Sequence, residues 1–197
     1  MRLVHRSSSE DRIAIHVYMH WPFQHSMVEH AKYDVVRRLD KAEIRQYPRL
    51  VIAKVQGLGD GGFDILYRFI TGQNRQKSKV QMTAPVISEK IKMTAPVLSD
   101  ASSLAFVMPE SYTLETTPDP VDGRVKVLQL PERFVAALRF SGRWSEKAFE
   151  ARSKQLLEEL ARNGVRTKGA VFTMLYNPPF TPWFMRRNEV AVEIEPS

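Results

Sequence analysis

Leu50-Val-Ile-Ala-Lys-Val55, then Gly57, Gly59, Gly61 and Gly62, then Phe63-Asp-Ile-Leu-Tyr-Arg-Phe-Ile70 is the stretch on which the fold turns. Its first six residues are a β-branched run of the kind that fills a buried strand. Its last eight carry apolar residues at helical spacing, and Gly72 stands where a left-handed C-terminal stop is needed. Upstream, Tyr33–Arg45 sets Tyr33, Val35, Leu39 and Ile44 among charges and reads as one or two strands. The plan recurs downstream. Val125–Leu130 and Phe134–Phe140 read as strands, Gly142 breaks the chain, and Ser145 caps a helix running to about Arg162, ended by Asn163-Gly164. Val171–Tyr176 and Val190–Ile194 close the domain. Strand, strand, helix, strands, twice over, predicts an α+β domain of two related halves sharing one sheet or barrel.

Between the halves lie two copies of Met-Thr-Ala-Pro-Val, at Met82–Val86 and Met93–Val97, eleven residues apart. Two matching strands about a short turn predict a hairpin, with each proline at a strand end, bulge or edge. Leu104–Met108 is a further short strand, and Thr116–Gly123 is a Pro/Asp/Gly loop.

Composition narrows the chemistry. At 197 residues and 43% hydrophobic, the chain can bury a sizeable core. It has no cysteine, so disulfides, thiolate metal sites and cysteine nucleophiles are excluded, and a cytoplasmic, reducing setting fits. The net charge of +7 is spread along the chain, densest at Arg37-Arg38, Arg75–Lys79 and Arg186-Arg187. Without a block of five or six cations, the excess reads as solubility and attraction for acidic small molecules, not as a nucleic-acid surface. No run approaches the roughly 20 apolar residues of a membrane span, and no apolar signal segment opens the chain. All five histidines (His5, His16, His20, His25, His30) fall in the first thirty residues. Residues 1–27 read as an extension outside the fold, with Met27 a plausible start, and residues 28–197 as the domain.

The two helices have different faces. In the second, Phe149, Leu156, Leu157 and Leu160 make an ordinary core stripe at 100° per residue. In the first, Phe63, Leu66, Tyr67 and Ile70 make one face, and Ile65 and Phe69 widen the apolar arc to roughly 200°. The sheet, a ligand lying along the helix or a protein partner would each cover that extra flank. The loop Asn177-Pro-Pro-Phe-Thr-Pro-Trp-Phe-Met185 is unusual for a surface segment in setting Phe180, Trp183, Phe184 and Met185 among three prolines. It reads either as a lid on the core or as a stiff platform for a planar ligand. Arg186 and Arg187, next in line, would pair a carboxylate ligand or close on Glu189 or a loop carbonyl.

Over Lys32–Ile194 the chain resembles the SOUL, or haem-binding, family. The likeness rests on Lys32-Tyr-Asp-Val-Val36, Glu43-Ile-Arg45, Gly62-Phe63, the two Met-Thr-Ala-Pro-Val copies, and Tyr176-Asn-Pro-Pro-Phe-Thr-Pro-Trp-Phe-Met-Arg-Arg-Asn-Glu189. It implies a distorted antiparallel β-barrel carrying two helices, similar to the effector-binding domains of multidrug-responsive regulators. It also implies haem or another tetrapyrrole in a shallow apolar groove between the first helix and the loop before the last strand. Carried onto this chain, the groove is Phe63, Leu66, Tyr67 and Arg68 on the helix, with Phe180, Trp183, Phe184, Met185 and Arg186 on the loop. Some relatives are thought to hold iron with histidine, and no histidine follows His30 here. The expectation is therefore weak or no axial ligation, with free porphyrin binding about as well as haem.

An enzyme of the effector-domain type, hydrolysing small electrophiles, is the alternative. The chain has no Gly-x-Ser-x-Gly elbow, no His-Glu-x-x-His and no Cys/His pair. Asp64 and Glu189 are the acids within its motifs, neither with a paired base in sequence. A regulatory or protein-interaction module is a third reading, though there is no room for a helix-turn-helix beside the domain.

Overall fold

A computed structural model of the chain describes residues 29–56, 61–90, 102–177 and 181–196. The expected extension over residues 1–27, Gly57 and Gly59, the second Met-Thr-Ala-Pro-Val copy, Phe180 and its two preceding prolines lie outside the described residues. The elements run β1 (Glu29–His30), β2 (Asp34–Arg38), β3 (Ala42–Tyr47), β4 (Leu50–Gln56), α1 (Gly61–Ile70), β5 (Thr83–Lys90) and β6 (Ser102–Val107). They continue with β7 (Lys126–Leu130), β8 (Arg133–Phe140), α2 (Glu146–Arg162), β9 (Thr167–Leu175), a 3-10 turn (Trp183–Met185) and β10 (Asn188–Ile194).

Both helices stop as expected, and for the same reason. After α1, Gly72 takes φ +113. This lets the Gln73 N–H reach the Arg68 carbonyl at 2.9 Å and the Gly72 N–H reach that of Phe69. After α2, Gly164 (φ +68) closes the same pair of bonds, Val165 to Leu160 and Gly164 to Ala161. At the other end of α2, the Ser145 hydroxyl accepts the Ala148 N–H at 3.1 Å.

The strands form one sheet in the order β2-β3-β8-β10-β9-β5-β6-β4-β7, with β1 parallel to the start of β5 and every other pairing antiparallel. Its ends, β2 and β7, are not joined, so the barrel is open. The duplication is visible in the topology. β4-α1-β5-β6 and β8-α2-β9-β10 have the same order, and they meet about the β5·β9 pair, where Val86 faces Leu175. The strand preceding each unit crosses over: β3 pairs with β8 and β7 with β4. Both edges of the first Met-Thr-Ala-Pro-Val copy are taken. Thr83 pairs with Val107 and Glu29, and Val86 with Phe106 and Leu175. The first copy thus pairs with β1, β6 and β9, while the second copy, and with it the expected hairpin, lies outside the described residues.

Period-two alternation then sorts the strand residues into an interior and an outer face. The interior holds Tyr47, Ile52, Ile87, Val107, Val135, Phe172, Met174 and Tyr176. Outside, α1 closes over Val51, Ala53, Val55 and Phe106, and α2 over Ala42, Ile44, Leu138, Val190 and Val192. A Cβ on Gly62 would meet Val55 Cγ2 at 3.0 Å, so glycine there lets α1 lie close on β4.

In α2 the buried stripe is rotated from the expected one. Leu156 and Leu160 are fully buried, but Leu157 is exposed and Glu159 is buried in its place. The reason is polar. Glu159 Oε1 accepts the backbone N–H groups of Lys41 at 2.8 Å and Ala42 at 3.2 Å, tying the helix to the β2–β3 turn. Glu159→Ala is expected to cost about 1.5–3 kcal/mol in urea melts, because a buried donor at Ala42 and a part-buried one at Lys41 lose a charged acceptor. An unchanged midpoint would show that water replaces the carboxylate.

Candidate ligand-binding face

The side chains of α1 divide into three groups. Leu66, Phe69 and Ile70 are the residues buried on the sheet. Leu66 is 0% exposed, so it belongs to the core and does not line a groove as the resemblance implied. Ile65 lies on the flank toward β7 and is met by the segment Pro120–Val125, with which it, Arg68 and Phe69 enclose a cavity of about 80 Å³. The surplus apolar flank expected from the sequence is thus covered by the sheet at Phe69 and by this segment at Ile65. Ligand sites for drug-sized molecules run to about 300–1,000 Å³, so this cavity takes no tetrapyrrole. Arg68 lies on that side too, held to Asp64 by a 2.7 Å ion pair one turn back.

The opposite flank is left half open. Phe63 stacks on Tyr67 with ring centres 6.3 Å apart and sets its edge against Phe106 at 5.2 Å. From Phe106 an outer-face row runs across the sheet through Val86 and Leu175 to Asn188 and Phe140. Val86 and Leu175, half-buried, are the middle of this row and lie between the two helices. Phe106 to Leu175 spans two strand spacings, about 10 Å. These floor residues were not singled out from the sequence, since only strand register shows which strand neighbours which.

At the far end of the row stands the 3-10 turn. Gly142, at φ +122, donates its N–H to the Trp183 carbonyl at 3.0 Å, and Asn188 Nδ2 donates to the Gly142 carbonyl at 2.9 Å. So anchored, the turn leaves Trp183 53%, Phe184 61% and Met185 63% exposed. Trp183 and Phe184 meet edge to face at 5.7 Å. The loop is therefore no lid over these three. Arg186 Nε donates to the Thr181 carbonyl at 2.8 Å, stiffening the turn from behind.

Arg187 has a different fate. It joins a buried cluster on the interior side with Arg45, Glu189, Tyr33 and Tyr176. Arg45 grips Glu189 with two hydrogen bonds (2.6 and 3.1 Å), Arg187 with two (2.9 and 2.8 Å), and the Tyr176 hydroxyl donates a fifth at 3.0 Å. Arg45 also holds Glu43 and lies 4.4 Å over the Tyr33 ring, and Arg187 lies 3.8 Å over Tyr176. Burial, helped by the negative charge of Glu189, pushes the Tyr176 hydroxyl up, so it is a permanent donor. His30 stacks on Tyr176 from β1, on the interior side of the sheet.

An open antiparallel sheet of two repeated halves, each carrying one helix, defines an α+β domain. Among solved structures the chain is similar to the EcmrR C-terminal domain, at 9% identity and a TM-score of 0.54 over 84% of this chain and 99% of that one. It is also similar to an uncharacterized conserved protein from Listeria innocua (16%, TM-score 0.53, 79% and 92% covered). A third is a hydrolase from Listeria innocua (16%, TM-score 0.51, 81% and 94%). At these identities the likeness is one of fold. The family model described as SOUL heme-binding protein matches residues 28–193, and the chain belongs to that family. A search by sequence finds no match among the curated proteins.

Proposed function

We propose that this chain binds a tetrapyrrole, as haem or as metal-free porphyrin, flat on the outer face between the Phe63–Tyr67 flank of α1 and the Trp183–Met185 turn, as a carrier or buffer. The observation that carries the reading is the turn itself: three consecutive large apolar side chains, each more than half exposed, on backbone pinned at Gly142 and Thr181. Contiguous exposed apolar surface of this kind marks a binding site more often than chance. Membership of a haem-binding family supports the choice of ligand. Phe63, Tyr67, Val86, Leu175, Trp183, Phe184 and Met185 would form the bed. Arg68 lies on the other flank of α1 with Asp64, Arg186 is bonded to the Thr181 carbonyl, and Arg187 is committed to Glu189.

The donor set fits a porphyrin ring better than it fits iron. His30, the one histidine among the described residues, is exposed and stacks on Tyr176, whose side chain lies on the sheet face opposite this bed. Bound haem would supply redox-active iron, and this chain would supply a face and a rim. Burying about 300–400 Å² of one porphyrin face contributes on the order of 8–10 kcal/mol, against association costs of about 4–15 kcal/mol. Apolar protein surface covered at the same time adds to the gain, and micromolar binding without a metal bond requires that protein contribution as well as the ring's own.

The test is a paired titration. Haem and metal-free protoporphyrin are expected to give shifted Soret bands with dissociation constants within about threefold of each other, a gap of under 1 kcal/mol. Unchanged spectra for both would sink the reading. Tight haem binding without porphyrin binding would put a metal bond at its centre.

The hydrolase named among the structural neighbours raises a second reading, in which a pocket acid activates water. Glu189 is poorly suited to it. A carboxylate offers about four lone-pair sites, and five protein donors already occupy them. Asp64 is paired with Arg68. We assign no catalytic residue.

A further inference from the structure

We infer that Met185 is a peroxide-modification site, and that its oxidation to the sulfoxide switches the apolar turn from ligand-binding to polar. The modification stands on exposure and chemistry alone, while its effect on ligand rests on the tetrapyrrole reading above. Met82, Met108 and Met174 are 8%, 3% and 2% exposed, sealed in the core clusters, whereas Met185 is 63% exposed. A thioether reacts as a nucleophile, so access decides which methionine is hit. The Met185 sulfur attacks one peroxide oxygen, the S–O bond forms as the O–O bond breaks, and the second oxygen leaves as water after taking up the protons. Sulfur loses two electrons and the peroxide gains them.

The location gives the reaction a consequence. Met185 ends the Trp183-Phe184-Met185 turn, and its backbone N–H is already bonded to the Pro182 carbonyl at 2.9 Å. An added S=O dipole therefore finds no donor in that N–H. A flat apolar ligand lying there would have to desolvate it. Oxidation changes a flexible apolar side chain into a polar one, and methionine sulfoxide reductases restore it. No core group is touched, so the fold is left standing.

The experiment treats the full chain with dilute hydrogen peroxide, locates added oxygen by peptide mass spectrometry, and titrates the product with metal-free protoporphyrin. Met185 is expected to gain oxygen at least about tenfold faster than Met82, Met108 or Met174. Porphyrin affinity is expected to fall about five- to tenfold, comparable to losing much of one buried methionine, and to return after reductase treatment. Met185→Leu, which keeps the apolar volume but has no sulfur to oxidise, should show the same porphyrin affinity before and after peroxide treatment. Met185→Gln should mimic the oxidised state. Equal oxidation of the four methionines overturns the inference, as does undiminished affinity once Met185 is oxidised. Should the untreated chain fail to bind porphyrin, the functional reading falls, while the rate at Met185 still decides whether the site exists.

Discussion

Glu189→Ala is expected to destabilise the domain by about 3–5 kcal/mol, a large share of the roughly 5–15 kcal/mol that holds a typical domain folded. Few substitutions elsewhere in the domain should cost as much. Arg45 is 2% exposed, and its guanidinium faces Glu189, Glu43 and the Tyr33 ring. Removing Glu189 leaves a buried cation without its closest counter-ion and the Tyr176 hydroxyl without an acceptor, and each loss is a desolvation penalty no longer offset. Over a domain of this size the melting temperature should drop by roughly 10 °C or more. Glu189→Gln keeps the shape and tests the charge alone, so most of the loss should persist. A glutamine variant as stable as the parent would show that water already screens the cluster.

The same carboxylate predicts a pH dependence. Burial alone would raise its proton affinity, but the hydrogen bonds and charge of Arg45, reinforced by Arg187, outweigh it and hold the group below the ordinary carboxylate range. A depressed carboxyl contributes stability that is fully present above its unfolded value, near 4.3, and lost as pH falls through the lower folded value. Acid unfolding of the parent should therefore steepen below about pH 4. Glu189→Gln, having no proton to take up there, should show a flatter acid limb.

The second large effect falls on binding with the fold intact. Trp183→Ala with Phe184→Ala is expected to weaken porphyrin binding by about 2–3 kcal/mol, roughly 30- to 150-fold, measured by quenching of porphyrin fluorescence. Both side chains are exposed and meet each other edge to face. Their loss should move stability by no more than about 0.5 kcal/mol. Affinity unchanged in the folded double variant would place the ligand elsewhere on the molecule.

The contrast between these two substitutions marks what was legible. The β-branched run of β4, the glycine stops at Gly72 and Gly164 and the Ser145 cap are local chemistry, and local chemistry places elements to within a few residues. The duplicated order followed from the same signals. The exposed turn was legible as a possibility, because prolines beside Trp183, Phe184 and Met185 leave few ways to bury them. Periodicity does not report how far a helix is rolled, and α1 and α2 are both rolled from their expected faces. In α1 this puts Leu66 in the core and leaves Phe63 and Tyr67 at the edge. In α2 it buries Glu159, whose partners lie more than a hundred residues away.

Taken alone, then, the chain's residues determined an α+β domain of two halves, its helix limits, and an apolar turn ahead of the last strand, since each depends on neighbours within a few positions. Tertiary structure decided the crossing of β3 and β7 between halves, the Phe106–Val86–Leu175 floor, and the commitment of Arg187 to Glu189 on the interior side. Those facts are pairings between distant segments. Hydrogen-bond register and competition for buried charge settle them only once the sheet has formed.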